Sequence, residues 1–202
     1  MSVTKTKYCL CCGEAVPYHT IYREEKNEQT CQYCGFVIGI EKKETKDKSI
    51  SGAGTSTADC ILLAEDSPVT RDIIKAMLLQ RKLTKSALAF SNGQQLVAEF
   101  TKRLTGHGPV AMIILDLQMP VMDGITAARI IRDLEEKFKI TRVPILFFSA
   151  DKCDDSLKKQ ITLYSPAVYL NKGSDTDPEI LLERIDQLMT YILHKGTPLS
   201  AG

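Results

Sequence analysis

Four short apolar runs in this chain end in residues able to do phosphoryl chemistry. "CILLA" (60–64) is followed by Glu65-Asp66, "VAMIIL" (110–115) by Asp116, "VPILFF" (143–148) by Ser149, and "AVYL" (167–170) leads to Lys172. If these runs are buried parallel strands, their carboxyl ends share one rim, where ligands of open α/β sheets bind. Three carboxylates gathered there would repel and raise one another's pKa. A hard divalent cation relieves that repulsion, and Mg²⁺ prefers oxygen ligands in near-octahedral geometry. A carboxylate beside such a cation can attack phosphorus and become an aspartyl-phosphate. Lys172 and the metal would neutralise the oxygens of the group in transit, with Ser149 placed to hydrogen-bond one of them. Taken singly, Asp116 reads as a turn former or helix cap more readily than as a nucleophile. The ordered set at four strand ends is what favours a phosphoacceptor. Asp123-Gly124 reads as a turn and helix start, and Met119 and Met122 as packing groups.

A second constellation is thiol chemistry. Of seven cysteines, Cys9, Cys11, Cys12, Cys31 and Cys34 crowd into the first 34 residues, while Cys60 and Cys153 stand alone. "CLCCG" (9–13) and "CQYCG" (31–35) both contain C-x-x-C-G, and 18 residues separate Cys12 from Cys31. That spacing reads as a zinc site. Gly13 and Gly35 allow each knuckle to turn tightly around a sulfur. Cys9, Cys12, Cys31 and Cys34 are the expected ligands of a closed, structural Zn²⁺ site, with Cys11 spare; rubredoxin-like iron and ligand exchange with Cys11 are alternatives. This segment resembles a zinc ribbon, with "HTIYREE" and "FVIGIE" as candidate strands. So short a unit lacks a sizeable core and should depend on its metal for stability. His19 reads as a surface residue, and Cys60 and Cys153 as small, partly buried hydrophobes.

The elements that must position these groups follow from periodicity. The four runs, with "SALAF" (86–90), read as five buried strands. Between them lie helical patterns: Val69, Ile73, Ile74, Met77 and Leu78 share a face after Pro68, then Leu96, Val97, Phe100 and Leu104, then Ile130, Ile131, Leu134 and Phe138. A weaker helix spans 153–164, and a last one carries Leu181, Ile185, Leu188, Met189 and Ile192. Strands alternating with helices imply a parallel sheet covered on both faces. The stretch "EKKETKDKSISGAGTSTA" (41–58) is too polar to offset its ordering entropy and reads as a linker, or as a solvated helix over its charged half. The expected organisation is a module over 1–40, a linker over 41–58, an α/β domain over 59–196 and a tail over 197–202.

"LLAEDSPVTRDIIKAML", "IILDLQMPVMDG", "ILFFSA" and "YLNKG" together resemble the receiver domain of two-component response regulators, across essentially the whole α/β domain. The resemblance implies a flavodoxin-like fold with strand order 2-1-3-4-5. It implies that Asp116 is the phosphoacceptor and that Glu65, Asp66, Asp116 and the backbone carbonyl of Gln118 hold Mg²⁺. Lys172 would pair with the phosphoryl group, Ser149 would be the switch hydroxyl and Tyr169 the switch aromatic. Gln118 and Asp151 stand where relatives tune phosphoryl lifetime. Two residues depart from the family's usual pattern. Gly173 follows the lysine where relatives commonly have Pro, and a non-proline cis bond costs about 2.5–4 kcal/mol. Pro166 stands where small residues usually precede the fifth strand.

Hydrophobic residues make up 44% of the 202-residue chain, enough for a normal core, and the formal net charge is +1. That balance argues against a polyanion-binding surface covering the protein. The start has no apolar leader and no run approaches the ~20 residues that span a bilayer, so a cytoplasmic protein without membrane contact is expected. The resemblance implies a sensor histidine kinase or phosphotransfer protein as donor and a downstream protein as target, with a homodimer left open. The expected role is a phosphoacceptor rather than an enzyme. Tyr8, Tyr18, Tyr22, Tyr33 and Phe36 could stack on bases, making a nucleic-acid-binding ribbon with an inert or dimerising receiver the alternative. Glu14, Glu24, Glu25 and Glu28 offset the nearby basic residues, which favours a protein-interaction module.

Overall fold

Each cysteine pair makes a tight turn between antiparallel strands. The computed structural model describes residues 5–23, 26–41, 58–173 and 178–195. The expected linker, apart from its end residues 41 and 58, and the expected tail lie outside these residues. β1 (Thr6–Cys9), β2 (Glu14–Arg23), β3 (Lys26–Cys31) and β4 (Val37–Glu41) form an antiparallel sheet in the order β1-β2-β3-β4. The first knuckle joins β1 to β2 and the second joins β3 to β4, so both lie at one end of this sheet. Gly13 and Gly35 hold φ of +74° and +78°, the left-handed conformation that each knuckle requires.

The rest of the chain alternates strand and helix. β5 (Ile61–Ala64), β6 (Ala87–Phe90), β7 (Met112–Asp116), β8 (Ile145–Ser149) and β9 (Ala167–Asn171) pair in parallel as β6-β5-β7-β8-β9. Counted from its own first strand, this sheet runs 2-1-3-4-5. The helices are α1 (Pro68–Gln80), α2 (Gly93–Lys102), α3 (Gly124–Phe138), α4 (Asp155–Thr162) and α5 (Pro178–Lys195). β5, β7, β8 and β9 are buried at every position, as a sheet covered on both faces requires. Alternate strand residues feed two apolar layers. Ile61, Leu63, Ile114, Phe148 and Leu170 meet Ile74, Leu78, Ile185 and Leu188 on one side. Leu62, Ile113, Leu115 and Phe147 meet Leu96, Phe100, Ala127 and Ile131 on the other. Ser67, Asn92, Asp123 and Asp154 cap α1 to α4, their side chains accepting the free amide of Thr70, Gln95, Thr126 and Leu157. Each such cap contributes about 1 kcal/mol. Among the described residues, no helix is long and apolar enough to cross a membrane.

Two apolar faces are narrower than their patterns suggest. In α1 only Ile74, Met77 and Leu78 are buried, while Val69 is 67% exposed and Ile73 lies at the margin. At roughly 100° per residue, Val69 sits about a third of a turn away from that stripe. Phe138 is exposed because α3 ends there, beyond the edge of the core.

The Cys-rich sheet does not stand apart from the α/β unit. Cys9, Cys11, Val16, Cys31 and Phe36 join the same apolar cluster as Leu170 and Ile185. The sheet is too small to enclose a core, and it buries its apolar residues against β9 and α5 instead.

An ion pair that periodicity does not reveal ties α3 to the loops around it. Arg132 Nη1 lies 2.6 Å from Glu135 Oε2, with both side chains buried. The guanidinium also donates to the carbonyls of Val143, Tyr164 and Pro166, and Glu135 accepts the Val143 amide. The pair thereby fixes the entries to β8 and β9. Replacing Arg132 by Ala should lower unfolding stability by about 3–5 kcal/mol, because it strands a buried carboxylate. Urea titration of both proteins measures the difference.

Candidate functional site

Strand register brings the polar strand ends together. Ala64 pairs with Leu115, Asp116 with Phe148 and Ser149 with Asn171, so β5, β7, β8 and β9 terminate on one rim. Carboxylate oxygens of Glu65, Asp66 and Asp116 all lie within 4.8 Å of one another. Glu65 is 1% exposed and Asp116 3%, while Asp66 faces solvent. Lys172 reaches in from the loop after β9, its Nζ 2.7 Å from Asp116 Oδ2 and 2.9 Å from Glu65 Oε2. The same ammonium stands 4.9 Å from the centre of the Phe148 ring, a cation–π contact. Asp116 Oδ1 accepts the Gln118 amide at 3.1 Å.

The electrostatics are unbalanced. Burial pushes the Glu65 carboxyl up, and neighbouring Asp116 adds to that, against the opposing pull of Lys172. Burial would draw Lys172 down, but hydrogen bonds and attraction from Asp116 and Glu65 hold it above its ordinary value. Glu65 Oε2 touches Lys172 yet has no aligned hydrogen bond, and it is fully buried. One ammonium thus pairs with two buried carboxylates in a cluster of three, and one buried oxygen lacks an aligned hydrogen bond. This donor set of hard oxygens fits a divalent cation such as Mg²⁺.

Asp123-Gly124 has a structural role in this rim. Asp123 caps α3, accepting the Thr126 amide at 2.7 Å. A Cβ on Gly124 would fall 2.2 Å from the Asp116 carbonyl oxygen, so only glycine lets α3 begin this close to β7.

Ser149 and Tyr169 are both buried and belong to a second layer of contacts. Ser149 Oγ accepts the Asp151 amide at 3.1 Å. The Asp151 carbonyl accepts from the Tyr169 hydroxyl and from Asn171 Nδ2. Burial raises the Tyr169 phenol above its ordinary range. Gln118 Nε2 donates to Asp151 Oδ2 at 2.6 Å. Asn171 is the residue that sequence reasoning passed over. Its Oδ1 accepts the Gly173 amide at 2.7 Å, beside Lys172. Its only signal was a polar residue closing an apolar run. The cis peptide bond among the described residues is Ser165–Pro166, not Lys172–Gly173.

The thiols form the other cluster. Sγ atoms of Cys9, Cys12, Cys31 and Cys34 lie within 4.8 Å of one another. Cys9 and Cys34 are 3.6 Å apart and Cys12 and Cys31 3.7 Å, far beyond a disulfide bond. A tetrahedron with zinc–sulfur arms of about 2.3 Å has edges of about 3.8 Å, so the spacing suits four thiolates around one cation. Hydrogen bonding to Cys12 and Cys34 draws the Cys31 thiol down to about 7. Cys11 is outside this set and 1% exposed.

Comparison with known proteins covers the α/β unit. Residues 61–186 match the response regulator receiver domain family, well over half of the chain. The peroxide stress-activated histidine kinase mak3 of Schizosaccharomyces pombe is 27% identical over 127 residues, which is 63% of this chain and 5% of mak3. The osmolarity two-component system protein SSK1 of Saccharomyces cerevisiae is 32% identical over 77 residues, 38% of this chain and 10% of SSK1. The chain therefore spans only a small part of these relatives. Among solved structures, the receiver domain of the histidine kinase CKI1 from Arabidopsis thaliana, complexed with Mg²⁺ and BeF3⁻, superposes with a TM-score of 0.53 at 21% identity. That match covers 65% of this chain and 90% of the CKI1 chain. The Ssk1 receiver domain, crystallised with the histidine phosphotransfer protein Ypd1 of Saccharomyces cerevisiae, gives a TM-score of 0.54 at 25% identity, covering 66% and 88%. From the five-stranded sheet, the rim at its carboxyl end and the family match over residues 61–186, the chain belongs to the response regulator receiver domain family.

Proposed function

We propose that this receiver accepts a phosphoryl group on Asp116 in a Mg²⁺-dependent reaction and signals by changing its protein contacts. The observation that carries this reading is the gathering of Glu65, Asp66 and Asp116 within 4.8 Å, with Lys172 2.7 Å from Asp116. Glu65, Asp66, Asp116 and the Gln118 carbonyl would hold the metal. Once bound, Mg²⁺ supplies charge neutralisation for the transferring oxygens. An Asp116 carboxylate oxygen attacks the phosphorus of a phosphohistidine, the P–N bond breaks, and the imidazole leaves with the bonding pair. Lys172 then shifts its pairing from the carboxylate to the new phosphoryl oxygens, and the Ser149 hydroxyl donates a hydrogen bond to one of them. Tyr169 reports the change to the surface around β9.

The donor is a sensor histidine kinase or phosphotransfer protein, in line with the Ssk1 receiver, which was crystallised with Ypd1. The target is a downstream protein, and the chain acts as an acceptor rather than a turnover enzyme. Cys9, Cys12, Cys31 and Cys34 hold one structural Zn²⁺. Four free, clustered thiols suit a reducing compartment, so we assign the protein to the cytoplasm.

Incubation with Mg²⁺ and acetyl phosphate should add one acid-stable, base-labile phosphoryl group, read by mass spectrometry. Asp116→Asn should abolish that gain while the fold survives. In Lys172→Ala the rate of gain should fall by about 10²–10³, the usual loss when one stabilising charge is removed. Equal labelling of Asp116→Asn would refute the assignment. Metal analysis should find about one zinc per chain. The double substitution Cys9→Ser and Cys34→Ser should lose the zinc and lower the melting temperature.

A further inference from the structure

The first cysteine knuckle is seated on the edge of the receiver's sheet. β9 is an edge strand, and its Asn171 amide points away from β8 to donate to the Cys11 carbonyl at 2.7 Å. An uncovered strand edge invites pairing with other chains; here the knuckle caps its end at Asn171. From α5, the buried Arg184 donates Nε to the Leu10 carbonyl at 2.9 Å and Nη2 to the Cys11 carbonyl at 3.1 Å. Its guanidinium fills the space that Gly13 leaves: a Cβ there would lie 2.6 Å from Arg184 Cζ. Outside this seam, Lys152 pairs with Glu14 at 3.0 Å. Cys11, surplus to the four clustered thiols, is buried in the joint.

Asn171 meets both the knuckle and the rim. Its amide N–H holds Cys11, while its side chain holds the Gly173 amide beside Lys172 and the Asp151 carbonyl. The Asp151 amide occupies an acceptor position of Ser149 Oγ, which leaves the serine proton free for a phosphoryl oxygen. A seated knuckle therefore favours the arrangement in which Lys172 and Ser149 are ready for phosphate.

We propose that the Cys-rich sheet is the receiver's built-in docking partner on β9 and α5, and that docking and phosphorylation of Asp116 favour each other through Asn171. This rests on the phosphoacceptor reading. Coupling between two sites is reciprocal and commonly amounts to a factor of about 5–150, so it is measurable from either side.

The test uses the full chain, with Mg²⁺ and beryllofluoride standing in for the phosphoryl group. In the wild type, the analogue should slow hydrogen exchange at the amides of residues 10–13 and Asn171 by about fivefold or more. Arg184→Ala should speed the same exchange without the analogue and weaken beryllofluoride binding by a similar factor. Lys152→Glu loosens an exposed pair without disturbing the core. It should shift both readouts in the same direction, and adding Glu14→Lys should restore them. The coupling is overturned if beryllofluoride binds and leaves the knuckle's exchange unchanged or faster. It is equally overturned if the variants loosen the knuckle while affinity stays constant. A wild-type protein that binds no beryllofluoride would instead overturn the phosphoacceptor reading, and the coupling with it.

Discussion

Three carboxylates on one rim repel one another, and two of them are withdrawn from the water that would screen them. A single ammonium answers that repulsion, and it comes from the far side of the sheet, after β9. Glu65 and Lys172 are separated by more than half of the chain, so their meeting depends on every crossover between them. The local charge is affordable only because burial is paired with an opposite charge and with amides such as Gln118. The same imbalance gives the rim a donor set that suits a divalent cation.

That arrangement needs backbone elements to approach closely without side chains between them. Gly124 brings the start of α3 against the end of β7, and the Asp123 cap sets where the helix begins. Further along the same buried face of α3, Arg132 and Glu135 bind the carbonyls and amide that lead into β8 and β9. The helix after β7 thus also orders the strands that deliver Ser149 and Lys172. Structural residues and rim residues share the same short segments.

The Cys-rich sheet shows what a small unit does when its own core is insufficient. Four thiols can be crosslinked by one metal, but Val16 and Phe36 still need apolar neighbours, and they find them in the cluster that continues into α5. Arg184 then supplies donors to the knuckle carbonyls of Leu10 and Cys11. The result ties a cysteine knuckle to the same edge strand that carries Tyr169 and Asn171.

The alternation of strand and helix, the two C-x-x-C-G turns and the acidic and basic strand ends were all legible in the linear chain, because each depends on residue type and short spacing. Glu65, Asp66, Asp116 and Lys172 could be named as a group since they stand at or just past the ends of three apolar runs. The buried roles of Asn171, Arg132 and Arg184 could not be read this way. An asparagine at a strand end and an arginine on a helix look solvated until distant segments pack over them. The seating of Cys11 and the exposure of Val69 were equally hidden: periodicity defines a face, but only the neighbours present in three dimensions decide how wide that face is and what covers it.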